Sequence, residues 1–539
     1  MKLLSTILIV FQLFSPLHLS SPTGSSQPPL EAQRSAYYKY ISSQTSADNA
    51  LSTIQALCSH DFAGRQSGTI ECEHSAEWIT QYMNGLSLQP CQMDEPGSYL
   101  QTFSVPFVQI ENPTRCIFHG NPAKEFLYRN EFYPYLKSDS GSHISEGVFA
   151  GFGIATTGYN DYQDMDVQDK VVIVLSGKPS FLSALPYDYS NIQHKIGTAK
   201  KKGAKAILII NRNAESIDVN WEKKEVYDPG TIPSILSGFL SLDAGDTILE
   251  SYSHSTKTII DTIESSRKPF SFAIHESIEI DITVKKEART TSNVIGFIPS
   301  RNPTLESFLI TAHYDHLGQD SINKDYYLGA NDNASGVSVM IEIARTLQDQ
   351  LFTTDMHIVF IAFSGEEEGL IGSKWYVNNP LFPLDQIVGV INLDMVGVGD
   401  TPLIAGTDAR FYPDLCNSIQ EASSVLNIPL EFITGGLWSG SDQYFFHQNN
   451  VPCVFFWRSG KNVWDTYHTP KDIPALIVKE NLQEILQIST YTTLSIIHPD
   501  VVTIPYDPMD MVPLEYPTYS VNGKDFSLLS QYFGYQFES

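Results

Sequence analysis

Residues able to do chemistry recur in five short stretches: His313-Tyr-Asp-His316, Gly329-Ala-Asn-Asp-Asn-Ala-Ser-Gly336, Gly365-Glu-Glu-Glu-Gly369, Asp394, and Tyr467-His-Thr-Pro470. Each has an ordinary structural explanation when taken singly. Asp332 or Asn333 could cap a helix, the glutamates could favour a helix start through its dipole, and His468 could be a satisfied loop histidine. Together they offer two imidazoles and three carboxylates, the ligand types that borderline divalent zinc prefers. Two zinc ions carry four positive charges against three negative ones, and one bound hydroxide matches the remainder. A carboxylate bridging two metals, a water acidified by both, and an unligated carboxylate to take its proton make a two-metal hydrolase. Glu366 and Glu367 supply two such roles side by side, because successive residues at a helix start point in different directions. One can bind metal while the other faces the water. Asp315, two residues after His313 on a strand end, lies on the same side and can accept that histidine's second ring N–H. Tyr467 could donate a hydrogen bond to an oxyanion, or simply pack a loop as an aromatic.

These stretches follow apolar runs. Phe308–Ala312, Met356–Phe363, Ile387–Leu393 and Pro452–Trp457 read as strands, and Ser335–Leu347 as a helix with Val337, Met340, Ile341, Ala344 and Leu347 on one face. Strands separated by helices predict an α/β fold, a mostly parallel sheet with helices on both faces, whose binding crevice lies beyond the strands' carboxyl ends. Upstream, residues 140–260 form a separate small α/β unit, with strands at Lys170–Leu175 and Ala204–Ile210 and a helix over Ile196–Lys202. Lys200, Lys201, Lys202 and Lys205 read as a solvated face. Helical patterns over Ala47–Leu88 are broken by Ala63-Gly-Arg-Gln-Ser-Gly-Thr69.

Composition bounds the whole. The chain has 539 residues, enough for roughly three structural units. Its 61 acidic against 34 basic residues give a net charge of -27, which repels phosphate backbones and excludes nucleic acid as a natural partner. Met1-Lys2 followed by the apolar run Leu3–Leu13 predicts a secretory signal and hence export. No later apolar run of about 18 residues predicts a membrane span. Six cysteines, read as structural, allow up to three bridges in an oxidising compartment.

The motifs resemble the five signature blocks of the secreted two-zinc aminopeptidases: His313-Tyr-Asp, Gly329–Gly336, Gly365-Glu-Glu-Glu-Gly-Leu-Ile-Gly-Ser373, Asn392-Leu-Asp-Met and Tyr467-His-Thr-Pro-Lys-Asp472. That superfamily includes bacterial leucyl aminopeptidases, glutamate carboxypeptidase, the glutaminyl cyclases and the catalytically dead transferrin receptor. Gly64–Thr69 resembles its N-terminal block. Residues 140–260, with Lys202-Gly-Ala-Lys-Ala206, resemble its inserted protease-associated (PA) domain. The resemblance implies the zinc exopeptidase fold with a small β-rich α/β PA insert. It implies two zinc ions, with His313 and Asp394 on one, Glu367 and His468 on the other, and Asp332 bridging. Glu366 becomes the general base, Tyr467 polarises the carbonyl and Asp315 supports His313.

The division expected is a signal peptide over 1–20, a linker or propeptide over 21–45, peptidase residues 46–139, the PA insert over 140–265, the zinc peptidase domain over 266–499 and an extension over 500–539. The expected activity is release of N-terminal residues from peptide substrates. A carboxypeptidase would need a cation for the terminal carboxylate, and Arg458 is the candidate. A glutaminyl cyclase would keep one zinc, and a receptor-like relative would have lost ligands. Two departures stand out: Ser441-Asp442-Gln443 where relatives have Ser-Asp-His, and His316 where a Ser is common. The sequon Asn333-Ala-Ser335 beside Asp332 leaves no room for a glycan.

Overall fold

The computed structural model describes residues 30–182, 189–212, 235–301, 304–320, 322–349, 354–433 and 440–497, and the backbone strands Tyr519–Val521 and Lys524–Phe526. The strands Ser307–His313, His357–Phe363, Ile387–Leu393 and Cys453–Trp457 are apolar almost throughout, the pattern of strands covered on both faces, and nearly all of their residues are buried. All four run parallel, with Ser307–His313 between His357–Phe363 and Ile387–Leu393, and Cys453–Trp457 beyond. Parallel pairing brings their carboxyl ends to one edge. Leu403–Gly406 adds antiparallel and Leu430–Ile433 completes that side. The helix Ser335–Asp349 buries more than the expected face: Val339 and Ile343 are covered too, because Ala47–Leu57 and Lys479–Ile497 pack on it as well as the sheet.

On the other side the sheet continues through one 28-residue strand, Ser271–Ile298. Its end pairs antiparallel with His357–Phe363, its middle with Leu100–Phe118 and its start with Gly141–Ala150. Val171–Leu175, Ala206–Ile210 and Leu236–Leu240 follow in parallel, and Phe132–Pro134 closes the edge. The small α/β unit expected upstream therefore has its own buried core, yet it joins the four central parallel strands in one hydrogen-bonded sheet. The described residues up to Ile497 form one unit; in the second, Tyr519–Val521 and Lys524–Phe526 pair antiparallel. No described helix is long and apolar enough to cross a membrane.

The signal segment 1–20 lies outside the described residues. Residues expected as linker include a helix, Leu30–Ser43, whose Tyr37, Tyr38 and Ile41 are buried; Tyr38 meets Tyr491 edge-on and Ser35 Oγ lies 2.7 Å from the Tyr491 hydroxyl. All six cysteines are buried and free, filling core space as small apolar groups. The glutamates form a turn, and the helix begins only at Ile371.

The break between the first helices is a clamp. Arg65 is fully buried and donates to four carbonyls: Leu57 (2.6 Å), Tyr314 (2.7 Å), Leu328 (2.8 Å) and Gly329 (3.0 Å). It joins the loop after Ser307–His313 to the loop ahead of Asp332. Gly64, at a φ of +75°, lies so close that a Cβ would come 2.3 Å from the Tyr327 carbonyl. Arg65→Met leaves these carbonyls without their donor and should cost about 3 kcal/mol or more in urea unfolding. Arg65→Lys should recover only part, because an ammonium cannot span the same acceptors. A loss below about 1 kcal/mol for the Met variant would remove the clamp from the account.

Candidate metal centre

Five residues at the strand ends face one another. His313 ends Ser307–His313, Asp394 follows Ile387–Leu393, Glu367 follows His357–Phe363, Asp332 precedes the helix Ser335–Asp349, and His468 follows Cys453–Trp457 after one short helix. All are buried. Asp332 divides its carboxylate between two groups: Oδ1 is 3.3 Å from His313 Nε2, and Oδ2 is 3.0 Å from His468 Nε2. His313 Nε2 is also 3.4 Å from Asp394 Oδ1, and His468 Nε2 is 3.1 Å from Glu367 Oε2. Ligands around an ion with bonds of 2.0–2.1 Å stand about 3.3 Å apart in a tetrahedron, so both the donor set and its spacing suit zinc.

His316, to which the sequence reading gave no role, joins the second group. His316, Asp332, Glu367 and His468 each offer a ligand atom within 4.8 Å of the others, as do His313, Asp332 and Asp394. The available signal was its place three residues after His313.

The loops are stitched by side chains. Asn331 Oδ1 accepts the Gly397 and Val398 N–H groups, both at 2.9 Å. Asn333 Oδ1 accepts from Gly336 at 2.8 Å, while its Nδ2 donates to the Leu393 carbonyl at 2.8 Å. The sequon asparagine is therefore buried and engaged, which closes it to a glycan. Asp472 accepts the Asn331 and Asp332 N–H groups at 2.8 and 3.0 Å.

Asp315 differs from its expected part. His313 Nδ1 is 3.2 Å from the Asp315 carbonyl oxygen but 3.7 Å from its carboxylate. The carboxylate instead accepts the Glu366 and Glu367 N–H groups, each at 3.3 Å, and the Ser67 hydroxyl at 3.1 Å. Asp315 thus fixes the glutamate turn by its side chain and His313 by its backbone, because the chain bends away after the strand. Tyr467 is partly buried, with its ring stacked on His468 at 3.8 Å between centroids. Arg458 is buried and committed: it donates to the Thr401 carbonyl at 2.8 Å and pairs with Glu484. Gln443, in the place of the expected histidine, accepts from Asn392 Nδ2 at 3.1 Å.

Burial opposes charge on every group here. It would lower His313, yet Asp394 and Glu366 hold that imidazole well above its ordinary range. Glu367 and Asp332 likewise outweigh burial at His468 and bring it up to about 9. Burial and Glu367 act to raise Asp332, but His313 and His468 hold it below the carboxylate range. Burial pushes Glu366 well up, opposed by His313 and reinforced by Glu367, Asp394 and Asp442. Burial and the surrounding acids, Asp332 first, push the Tyr467 phenol well above 10, so it stays a hydrogen-bond donor.

Residues 293–493 match the model of peptidase family M28, and residues 144–248 match the PA domain. Aminopeptidase YwaD of Bacillus subtilis is 28% identical over 452 residues, covering 81% of this chain and 82% of its own. Among solved structures, an aminopeptidase from Aneurinibacillus sp. strain AM-1 is similar with a TM-score of 0.60 at 23% identity, over 87% of this chain and 98% of that one. BSAP, a zinc aminopeptidase from Bacillus subtilis, matches with a TM-score of 0.60 at 23% identity, over 84% and 96%. These structural likenesses establish the shared fold.

The raised imidazoles give a pH prediction. The surrounding acids bring His468 up to about 9 and His313 well above 6.5, whereas zinc held by both rings would require them neutral. Loading zinc at pH about 7.5 should therefore release protons, and affinity should climb as pH rises toward 9. Calorimetric titration in two buffers of different ionisation heat reads this directly; binding without proton release would contradict the assignment of these rings.

Proposed function

We propose that the chain, whose residues 293–493 match peptidase family M28 and 144–248 the PA domain, hydrolyses peptide bonds as a two-zinc aminopeptidase. The division of the Asp332 carboxylate between the two donor groups carries this reading, since one bridging carboxylate is what a pair of ions requires. His313 and Asp394 would hold one ion, Glu367 and His468 the other, with Asp332 between them. Zinc bound there supplies Lewis acidity, polarising the scissile carbonyl and making water acidic near neutral pH. Glu366 takes the water proton and returns it to the leaving amine. Its burial suits that exchange, because it raises the carboxylate's basicity, while bound cations would temper the rise. Tyr467 keeps its phenolic proton and donates to the carbonyl oxygen as charge develops there. Asp315 is a positioning residue, holding the Glu366-Glu367 turn.

An N-terminal substrate end fits the charge of the site. The surrounding acids favour a cationic α-amine. Arg458, which a carboxypeptidase would turn toward a terminal carboxylate, is occupied by Glu484 and Thr401. The similarity to YwaD supports the same choice. The apolar start Leu3–Leu13 supports export. The PA unit would bound the mouth of the site: Arg129, beside the strand that closes the PA edge, pairs with Asp320 and Tyr327 on the loop after His316.

One peptide offered with a free and with an acetylated N-terminus, each with and without a zinc chelator, tests the reading by mass spectrometry. Stepwise loss from the free N-terminus alone, abolished by chelator, is expected. Loss from the C-terminus of both peptides would overturn it. Glu366→Gln should keep its zinc and lower kcat by about 10²–10⁴-fold. Asp332→Asn should reduce zinc retained after dialysis, and two full equivalents would argue against a bridge.

A further inference from the structure

His316 is not among the five ligands proposed above, yet it has the surroundings of one. Its ring is fully buried, and neither ring nitrogen makes a hydrogen bond among the described residues. Nδ1 nevertheless stands 2.7 Å from Glu367 Oε1 and 3.8 Å from Asp332 Oδ2. Nitrogen and oxygen meet side by side and not donor to acceptor, as two ligands facing a common centre do. A buried imidazole that served only to fill the core would have found an acceptor or donor.

The ring is held where it stands. Its backbone N–H donates to the Arg65 carbonyl at 3.2 Å. On its other side it packs against the Gly329 backbone, where a Cβ would lie 2.5 Å from His316 Cγ and 2.6 Å from Cδ2. The glycine at 329 is thus required by this ring as well as by its own left-handed φ of +59°.

We propose that His316 is a sixth protein ligand, so that one ion is held by His316, Asp332, Glu367 and His468 and the other by His313, Asp332 and Asp394. The inference rests on the two-zinc reading and deepens it. The two positions then differ in kind. Four protein donors fill zinc's usual complement, as in structural sites, whereas three leave a place for water or substrate, as in catalytic ones. Zinc at the four-donor position is retained through dialysis that strips the other, which gives a defined one-zinc form.

Zinc X-ray absorption on the fully loaded wild type counts imidazoles without any mutation. Three rings over two ions give about 1.5 per zinc, against about 1.0 if His316 stays outside the shell. His316→Asn should bring the value to about 1.0 and weaken the tighter ion in chelator competition by at least about 10-fold, leaving the weaker ion's affinity unchanged. Two ions at about 1.0 imidazole each in the wild type, with His316→Asn affinities unaltered, would overturn the sixth ligand and leave the two-zinc reading standing. A wild type that takes up no zinc would overturn both.

Discussion

Negative charge that cannot reach water organises this molecule. Asp315, Asp332, Glu367, Asp394, Asp442 and Asp472 are all buried around the ends of four parallel strands. Isolated carboxylates in such a space are costly, and each must be answered by a donor or a cation. The buried arginines that could help are used elsewhere: Arg65 on backbone carbonyls and Arg458 on Glu484. Backbone N–H groups answer Asp315 and Asp472, which is why the glutamate turn and the Asn331-Asp332 loop fold over them. Imidazoles stand against Asp332, Glu367 and Asp394, and the zinc of the proposed function would supply the remaining positive charge.

The same constraint explains why the loops are so heavily cross-linked. The bridging carboxylate of the proposed function would be useful only if its two oxygens were held to within about 0.5 Å. Asn331, Asn333 and Ser335 bind the backbone from Leu393 to Val398, so the loop bearing Asp332 and the strand end bearing Asp394 form one rigid piece. Arg65 attaches the His313 loop to it, and Ser67 attaches the glutamate turn through Asp315 and the Gly365 N–H. These supports make no contact with a reacting atom, but they set where the ligands point.

Much of this was legible beforehand, for identifiable reasons. The central strands are uninterrupted apolar runs, and the chemistry follows each run directly, so parallel topology alone brought His313, Asp332, Glu367, Asp394 and His468 together. What stayed hidden depends on partners distant in sequence. Arg65 among glycines reads only as a break between helices, because nothing nearby announces four waiting carbonyls. Arg458 reads as a free cation until Glu484 is seen beside it. Asp315 was placed correctly beside His313, but which of its oxygens faces the ring is set by how the chain turns after the strand. The helix Leu30–Ser43 is only weakly amphipathic on its own, and packing on Lys479–Ile497 defines its buried side. His316 looked like a substituted serine, since its meaning lies in Glu367, far along the chain.

The strand Ser271–Ile298 carries a consequence for how a substrate is measured. One end is laced into the peptidase sheet and the other into the PA strands, so relative movement of the two would have to shear a hydrogen-bonded ladder, where a linker would merely swivel. Whatever surface the PA unit presents, it presents at a set distance from the catalytic edge. Under the proposed function such a unit would act as a fixed gauge: a chain end would be admitted by whether it fits an opening already cut, and not by a jaw that closes once it has arrived.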